Sequence, residues 1–446
     1  MLLFSMWNRQ EAHVHRFFRP LMGIAAVALF GAVSLVGPAR LARAQGAPAQ
    51  AQKKVKDQGE YDLFNGVTKE TDPAKKAALL NTWKEKYPDS DYKLERQVLL
   101  IQAYAALQQW PNVINAAKEA LTIDPKDITS LYWITFLTPN LGSNAPDVLS
   151  TGEKAATALL AAERPATAKE EDWPNVKKSF DILAHKTLGW IAMQRKDNAK
   201  AEQEFREGLK LDPNQAEVSY WLGGVIVAQQ KAERYSEAMY CFARAAAYEG
   251  QGALAPQGRT AADQYLTKLY VRYHGDNSGL DELKAAAKAN VFAPDGFHIK
   301  TKDEIDAEKD EAFKKSNPQL ALWMSIKNQL TAAEGTQYFD GQLKGAGVPK
   351  LRATVISVNP PTNSKEIVVA LADTKTAEAT LKLDEALVGK PEVGGIIEFE
   401  GVPSAFVKEP FMLTFDVEKD KIEGLKVEAP PAHKAPAKKA AAKKQD

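Results

Sequence analysis

The sequence predicts a chain in two folded parts, an α-solenoid of helical hairpins followed by a small C-terminal all-β domain. Three observations carry this. The pair Leu188-Gly189 recurs 34 residues later as Leu222-Gly223, with small and large apolar residues at matching offsets behind each. Beyond Pro349 the apolar period changes from helical spacing to two. Near the N-terminus a 17-residue run, Leu21–Gly37, holds no charge and sets a leader apart from the rest.

Composition bounds the function. The 446 residues are 45% hydrophobic and 26% charged, enough for two or three cored domains. The single cysteine, Cys241, excludes an intramolecular disulfide framework and any multi-cysteine metal centre. The overall charge of +1 hides a split: residues 1–44 carry +4, residues 428–446 carry +3, and the body between them −6. An acidic body disfavours nucleic acid as a partner.

In the leader, a polar stretch with Arg9, Arg16 and Arg19 precedes the charge-free run, and Ala42-Arg43-Ala44 follows it. Basic, apolar, then small residues at a cleavage site is the order of an export signal. Residues 1–44 are therefore expected to be a signal peptide of bacterial style, and residues 45–56 a flexible spacer. The periplasm is the expected compartment. The alternative is an uncleaved anchor in the inner membrane facing the periplasm, which would be the chain's one membrane contact.

Residues 57–293 read as hairpins. The best unit places Leu188-Gly189 in a first helix, Ala201, Phe205 and Gly208 in a second, and Asp212-Pro213 at its end. The next has Leu222-Gly223, then Ala238, Phe242 and Ala245 after a three-residue insertion in the turn. Upstream, Leu100, Tyr104, Ala120-Leu121 and Asp124-Pro125 fit a third. Weaker units cover Asp72–Pro88 and Tyr265–Ala289. Pro125 and Pro213 stand 88 residues apart, so the intervening unit is expanded, through Pro139–Gly142 and the polar stretch Ala162–Lys178. Small residues let paired helices approach, larger ones fill the gap, and proline ends the second helix.

This pattern resembles the tetratricopeptide repeat. The resemblance implies a concave groove that binds a protein or peptide partner, lined by Leu183, Lys186, Trp190, Met193 and Gln194 in the fourth unit. In the fifth unit the lining is Glu217, Tyr220, Gly224, Val227 and Ala228. Lys186 matches one position of the clamp that some relatives use for a C-terminal carboxylate, but Trp190 stands where that clamp has Asn. The aromatic and sulfur-bearing lining favours apolar side chains on the partner. A second reading packs Trp190 and Tyr220 beneath the insertion at 162–178.

No catalytic, cofactor or metal signature emerges. His185, His274, His298 and His433 are not spaced as a helical ligand pair, and Cys241 beside Phe242 reads as a small core residue. No nucleophile elbow, zinc-protease string, phosphate loop or calcium loop occurs. The chain is expected to be non-catalytic and to need no cofactor.

Residues 294–336 read as a helical connector broken at Asn317-Pro318. Residues 337–427 hold five or six short strands, with Phe411, Leu413, Phe415 and Val417 alternating against Met412, Thr414 and Asp416. Their order resembles an OB-fold barrel, a sandwich being the alternative. This domain carries 11 basic and 14 acidic residues, which points to protein or oligosaccharide contact. In the loop Gly401–Phe411, Phe411 is assigned to the core. Phe406, without a strand partner, is expected to be exposed beside the barrel mouth as a contact residue. The Lys/Ala/Pro tail 428–446 is expected to be disordered. Together these features predict an exported tetratricopeptide scaffold, or adaptor, that binds protein partners, with the β-domain as an accessory contact. The alternative is a cell-envelope protein binding or processing glycan through the β-domain.

Overall fold

The computed structural model describes residues 53–166 and 168–428. The expected leader, most of the spacer and the tail beyond Glu428 lie outside the described residues. The chain divides into two compact units between Thr301 and Lys302.

Among the described residues the first unit forms six consecutive helical hairpins: α1 (Gln58–Lys69) with α2 (Pro73–Lys86), α3 (Lys93–Ala106) with α4 (Trp110–Ile123), and α5 (Ile128–Leu141) with α6 (Pro146–Leu160). They continue with α7 (Trp173–Gln194) and α8 (Asn198–Leu211), α9 (Ala216–Ala228) and α10 (Tyr235–Ala247), and α11 (Pro256–His274) and α12 (Leu280–Ala289). Local chemistry sets the boundaries. Asp57, Asp72, Asp127 and Asp197 each accept a hydrogen bond from a backbone N–H in the first turn of the helix they precede. Within α8 the buried residues are Ala201, Phe205, Gly208 and Leu209, one stripe at helical spacing.

The small residues sit where the repeat alignment needs them. A Cβ at Gly189 would lie 2.5 Å from the Phe205 ring, and one at Gly223 would lie 2.8 Å from Phe242. Ala201 and Ala238 are fully buried. Gln108, Lys196 and Gln230 occupy equivalent hairpin turns, and all three adopt left-handed backbone (φ 54°, 62° and 58°) that costs a side-chain-bearing residue energy. Three units thus share one turn geometry that their sequences do not advertise. The three-residue insertion of the fifth unit is a short 3-10 turn, Ala232–Arg234. Its Arg234 bonds Glu202 of α8 and Glu237 of α10. Burial alone would raise the Glu202 carboxyl, but Arg234, Gln229 and Arg206 outweigh it and hold the group at about 2. The expansion between Pro125 and Pro213 is an ordinary hairpin, α5 and α6, followed by a link and extra N-terminal turns on α7.

Buried arginines tie hairpins together. Arg96 of α3 donates to the carbonyls of Trp83 and Tyr87 at the end of α2. Arg244 of α10 donates to Ala287 and Lys288 at the end of α12 and to Pro213. Each satisfies helix-end acceptors that burial would otherwise strand.

The stretch 294–336, expected as one connector, divides instead. Ile299 is buried with the last hairpins, and its N–H donates to Ser236 Oγ. Helices α13 (Lys302–Ser316), α14 (Pro318–Thr331) and the short α15 (Gly335–Tyr338) belong to the second unit. Trp323, Ile326 and Leu330 of α14 enter the core of the β-domain.

That domain contains β1 (Val348–Asn359), β2 (Glu366–Ala370), β3 (Ala379–Leu383), β4 (Lys390–Pro391), β5 (Ile396–Val407), β6 (Met412–Val417), β7 (Ile422–Glu423) and β8 (Val427–Glu428). The order β1-β2-β3-β6-β5 closes on itself through the β1–β5 pairing, and β3–β6 is the parallel pair. This is a closed five-stranded barrel of OB type, not a sandwich. Leu413, Phe415 and Val417 face the core as the alternation predicts, beside Leu381 and Phe399. One end of the barrel is covered by α14. There the buried Glu378 carboxylate accepts from Trp323 Nε1 (3.1 Å) and from the N–H groups of Leu371 and Ala372.

Candidate functional site

The residues assigned to the groove are brought together, but not as an open lining. Lys186 Nζ of α7 meets Glu217 Oε2 of α9 at 2.7 Å and stands 5.2 Å above the Trp221 ring. Two expected groove residues therefore neutralise each other between adjacent hairpins, and the ammonium is not free to clamp a carboxylate. Trp190 is 2% exposed and lies in a cluster with Leu149 and Ile191, against which Met193 and Trp221 pack. The assignment of Trp190 to an open groove is corrected: α6 supplies Leu149 directly against it. Met193 and Gln194 are half-buried. Tyr220 is also half-buried, its ring set edge-on to Phe242 (5.3 Å) and Tyr265 (6.3 Å).

What sequence reasoning missed lies one hairpin earlier. Six half-buried aromatic side chains form a continuous row. Trp110 at the start of α4 stacks on Trp133 of α5 at 6.3 Å. Trp133 meets Tyr132 and Phe136, which are parallel to each other at 6.0 Å. Tyr132 then contacts Phe180 (6.2 Å), and Phe180 contacts Trp173 (6.1 Å), both from the N-terminal extension of α7. The row is uncharged, and burial pushes the Tyr132 hydroxyl above its ordinary value. The signal was present. With Asp124-Pro125 closing one unit, the next begins at Ile128, which puts Tyr132 and Phe136 at the offsets of Lys186 and Trp190 in the fourth unit.

In the β-domain, the expectation that Phe406 is exposed and unpaired is overturned. Strand β5 runs on to Val407, and Phe406 pairs with Leu413. The register shifts between Pro403 and Ala405, and this bulge moves the alternation by one residue, which turns Phe406 inward. Its ring lies 5.8 Å from Phe339 and 5.7 Å from Phe411, and Phe411 in turn contacts Trp323. Phe411, assigned to the core, is half-buried at its margin. Both rings close the same end of the barrel. Phe406→Ala and Phe411→Ala are therefore expected to destabilise the domain by similar amounts, about 2 kcal/mol each, below the cost of a fully buried Phe. Chemical denaturation of the two variants checks this; an unchanged midpoint for Phe406→Ala would restore it as a free surface residue.

Among the described residues, no group of three or more His, Cys, Asp and Glu side chains is placed to hold a metal ion. Burial holds the Cys241 thiol up at about 12, so its nucleophilic form is suppressed. No described helix is long and apolar enough to cross a membrane.

Fold and lining together define a helical-hairpin repeat array carrying an aromatic strip, joined to an OB-type barrel. Residues 182–215, spanning most of α7 and all of α8, match the tetratricopeptide repeat family model. Two solved structures are similar to the chain. One is described as "MamA RS-1 ArsTM double mutant" (11% identity, 48% of this chain and 96% of that chain covered, TM-score 0.30). The other is "MamA 41-end from Desulfovibrio magneticus RS-1" (12% identity, 48% and 92% covered, TM-score 0.29). No curated protein sequence matches the chain.

Proposed function

We propose that the chain is an exported, non-catalytic adaptor whose repeat array holds an extended, largely uncharged segment of a protein partner. The observation that carries this is the aromatic row from Trp110 to Trp173. Rings of this kind give large contact area at low entropic cost, and proline-rich or apolar segments dock on such strips. The internal pairing of Lys186 with Glu217 supports an uncharged partner, because it leaves no spare ammonium for a carboxylate there. The barrel serves as an accessory contact module.

Crosslinking in the envelope with wild type and with Tyr132→Ser/Phe180→Ser tests the reading. A protein captured by wild type and lost with the variant, at unchanged helical circular dichroism, is the expected result. Equal capture by both removes the aromatic row from the function. Export rests on the leader sequence: N-terminal sequencing of the envelope fraction should read from Gln45, whereas an intact Met1 in cytosol would defeat it.

A further inference from the structure

The aromatic row carries donors as well as area. Four of its six side chains end in a polar hydrogen: the indole N–H groups of Trp110, Trp133 and Trp173, and the Tyr132 hydroxyl. Among the described residues none of the four has a hydrogen-bond partner, and none is sealed from solvent. The cores treat such groups differently. Trp83 gives its indole N–H to Glu60 Oε1 at 2.9 Å, and Trp323 gives its own to Glu378. The row therefore presents a line of unspent donors, with the Tyr132 oxygen as the one acceptor among its rings. A partner that covered them with apolar groups alone would strand each donor, at a cost that cancels much of the gain from burying the rings.

Backbone chemistry sorts what can cover it. An α-helix has bonded its own carbonyls and brings none. A β-strand brings carbonyls together with as many N–H groups, for which the rings have too few acceptors. A proline-rich segment brings carbonyls and, at each proline, no N–H; in polyproline II nothing within the segment bonds those carbonyls. The complementarity is thus electrostatic, a donor-bearing strip against an acceptor-bearing backbone. It asks for no net charge on the segment, in keeping with the internal pairs Lys177–Asp181 and Lys186–Glu217. The row is also of peptide length. It runs in four ring-to-ring steps of 5.8–6.3 Å, which at about 3.1 Å per residue spans at most about eight residues of polyproline II. Resting on the reading of the array as a holder of extended segments, we propose that the row takes a proline-rich segment in polyproline II, whose carbonyls accept from the three indoles and Tyr132.

Isothermal titration of the full chain with two uncharged, end-blocked peptides of about eight residues tests this, one repeating Pro-Pro-Gln and the other Ala-Val-Gln. The proline peptide is expected to bind at least about tenfold more tightly, since it strands fewer N–H groups and is ordered before it binds. Tyr132→Phe keeps the ring and removes one donor. It should weaken the proline peptide about three- to tenfold, the worth of one hydrogen bond. The melting temperature should stay unchanged, because the hydroxyl has no partner to lose among the described residues. Equal affinity for the two peptides, or no binding of the proline peptide, would overturn the proposal. Tyr132→Phe binding as wild type does would overturn the hydrogen bonds as its basis. None of these results touches the envelope crosslinking with Tyr132→Ser/Phe180→Ser, which decides by itself whether the row holds a partner at all.

Discussion

Phe205→Ala is expected to destabilise the repeat array by about 3–5 kcal/mol, the cost of truncating a fully buried aromatic ring. The sharper result concerns its neighbour. The Phe205 ring fills the space where Gly189 would carry a side chain, with Cδ1 and Cε1 both 2.5 Å from that position, and it also meets Trp221 at 5.8 Å. In an open helix Gly→Ala would stabilise by about 1 kcal/mol, because alanine has the higher helix propensity. Here the added methyl forces the ring aside, and Gly189→Ala should instead cost about 1–3 kcal/mol as overpacking. In a Phe205→Leu background the methyl has room, so Gly189→Ala should become neutral or stabilising. Thermal unfolding of the four proteins gives the coupling. Additive effects would mean that this contact does not set the distance between α7 and α8.

That contact was legible in the sequence because it repeats: Leu188-Gly189 with Phe205 reappears as Leu222-Gly223 with Phe242, and repetition makes a packing rule visible. The barrel was legible for a related reason, since alternation over Leu413, Phe415 and Val417 is a local signal. What failed were inferences that needed distant partners. Trp190 occupies a groove position by offset, but Leu149, 41 residues earlier, encloses it. Phe406 lacks an alternating pattern because a bulge moves the phase within its own strand. The helical reading on either side of Asn317-Pro318 matches α13 and α14, yet nothing local says that Trp323 enters a β-domain. Its indole N–H needs a buried acceptor, and that acceptor is Glu378, 55 residues later.

Glu378 is accordingly the residue whose loss should harm the β-domain most. Its carboxylate is almost fully enclosed (3% of the side chain exposed) and accepts from the Trp323 indole, two backbone N–H groups and Lys327. Glu378→Ala strands two buried donors, the Trp323 indole and the Leu371 N–H, and the part-buried Ala372 N–H. Lys327, a third exposed, can turn toward water, so the loss falls mainly on the indole and the two amides; it should reach at least about 3 kcal/mol. The carboxylate also gives the domain an acid limb. Burial alone would raise its pKa, but Lys327 and the Leu371 and Ala372 amides outweigh burial and hold it below the ordinary 4.5. A carboxyl depressed in the folded state binds its proton more readily once unfolded. Its contribution is therefore complete above pH 4.5 and is lost as pH falls through the lower, folded value. Glu378→Gln keeps one acceptor oxygen for the indole and amides while removing the titration. It should cost less than Glu378→Ala at neutral pH and flatten the acid limb. Hydrogen exchange of barrel amides between pH 3 and pH 7 (about the span in which carboxylates titrate) reads both effects in the full chain. An acid limb unchanged in Glu378→Gln would assign it to other carboxylates and leave Glu378 a purely geometric tie between α14 and the barrel.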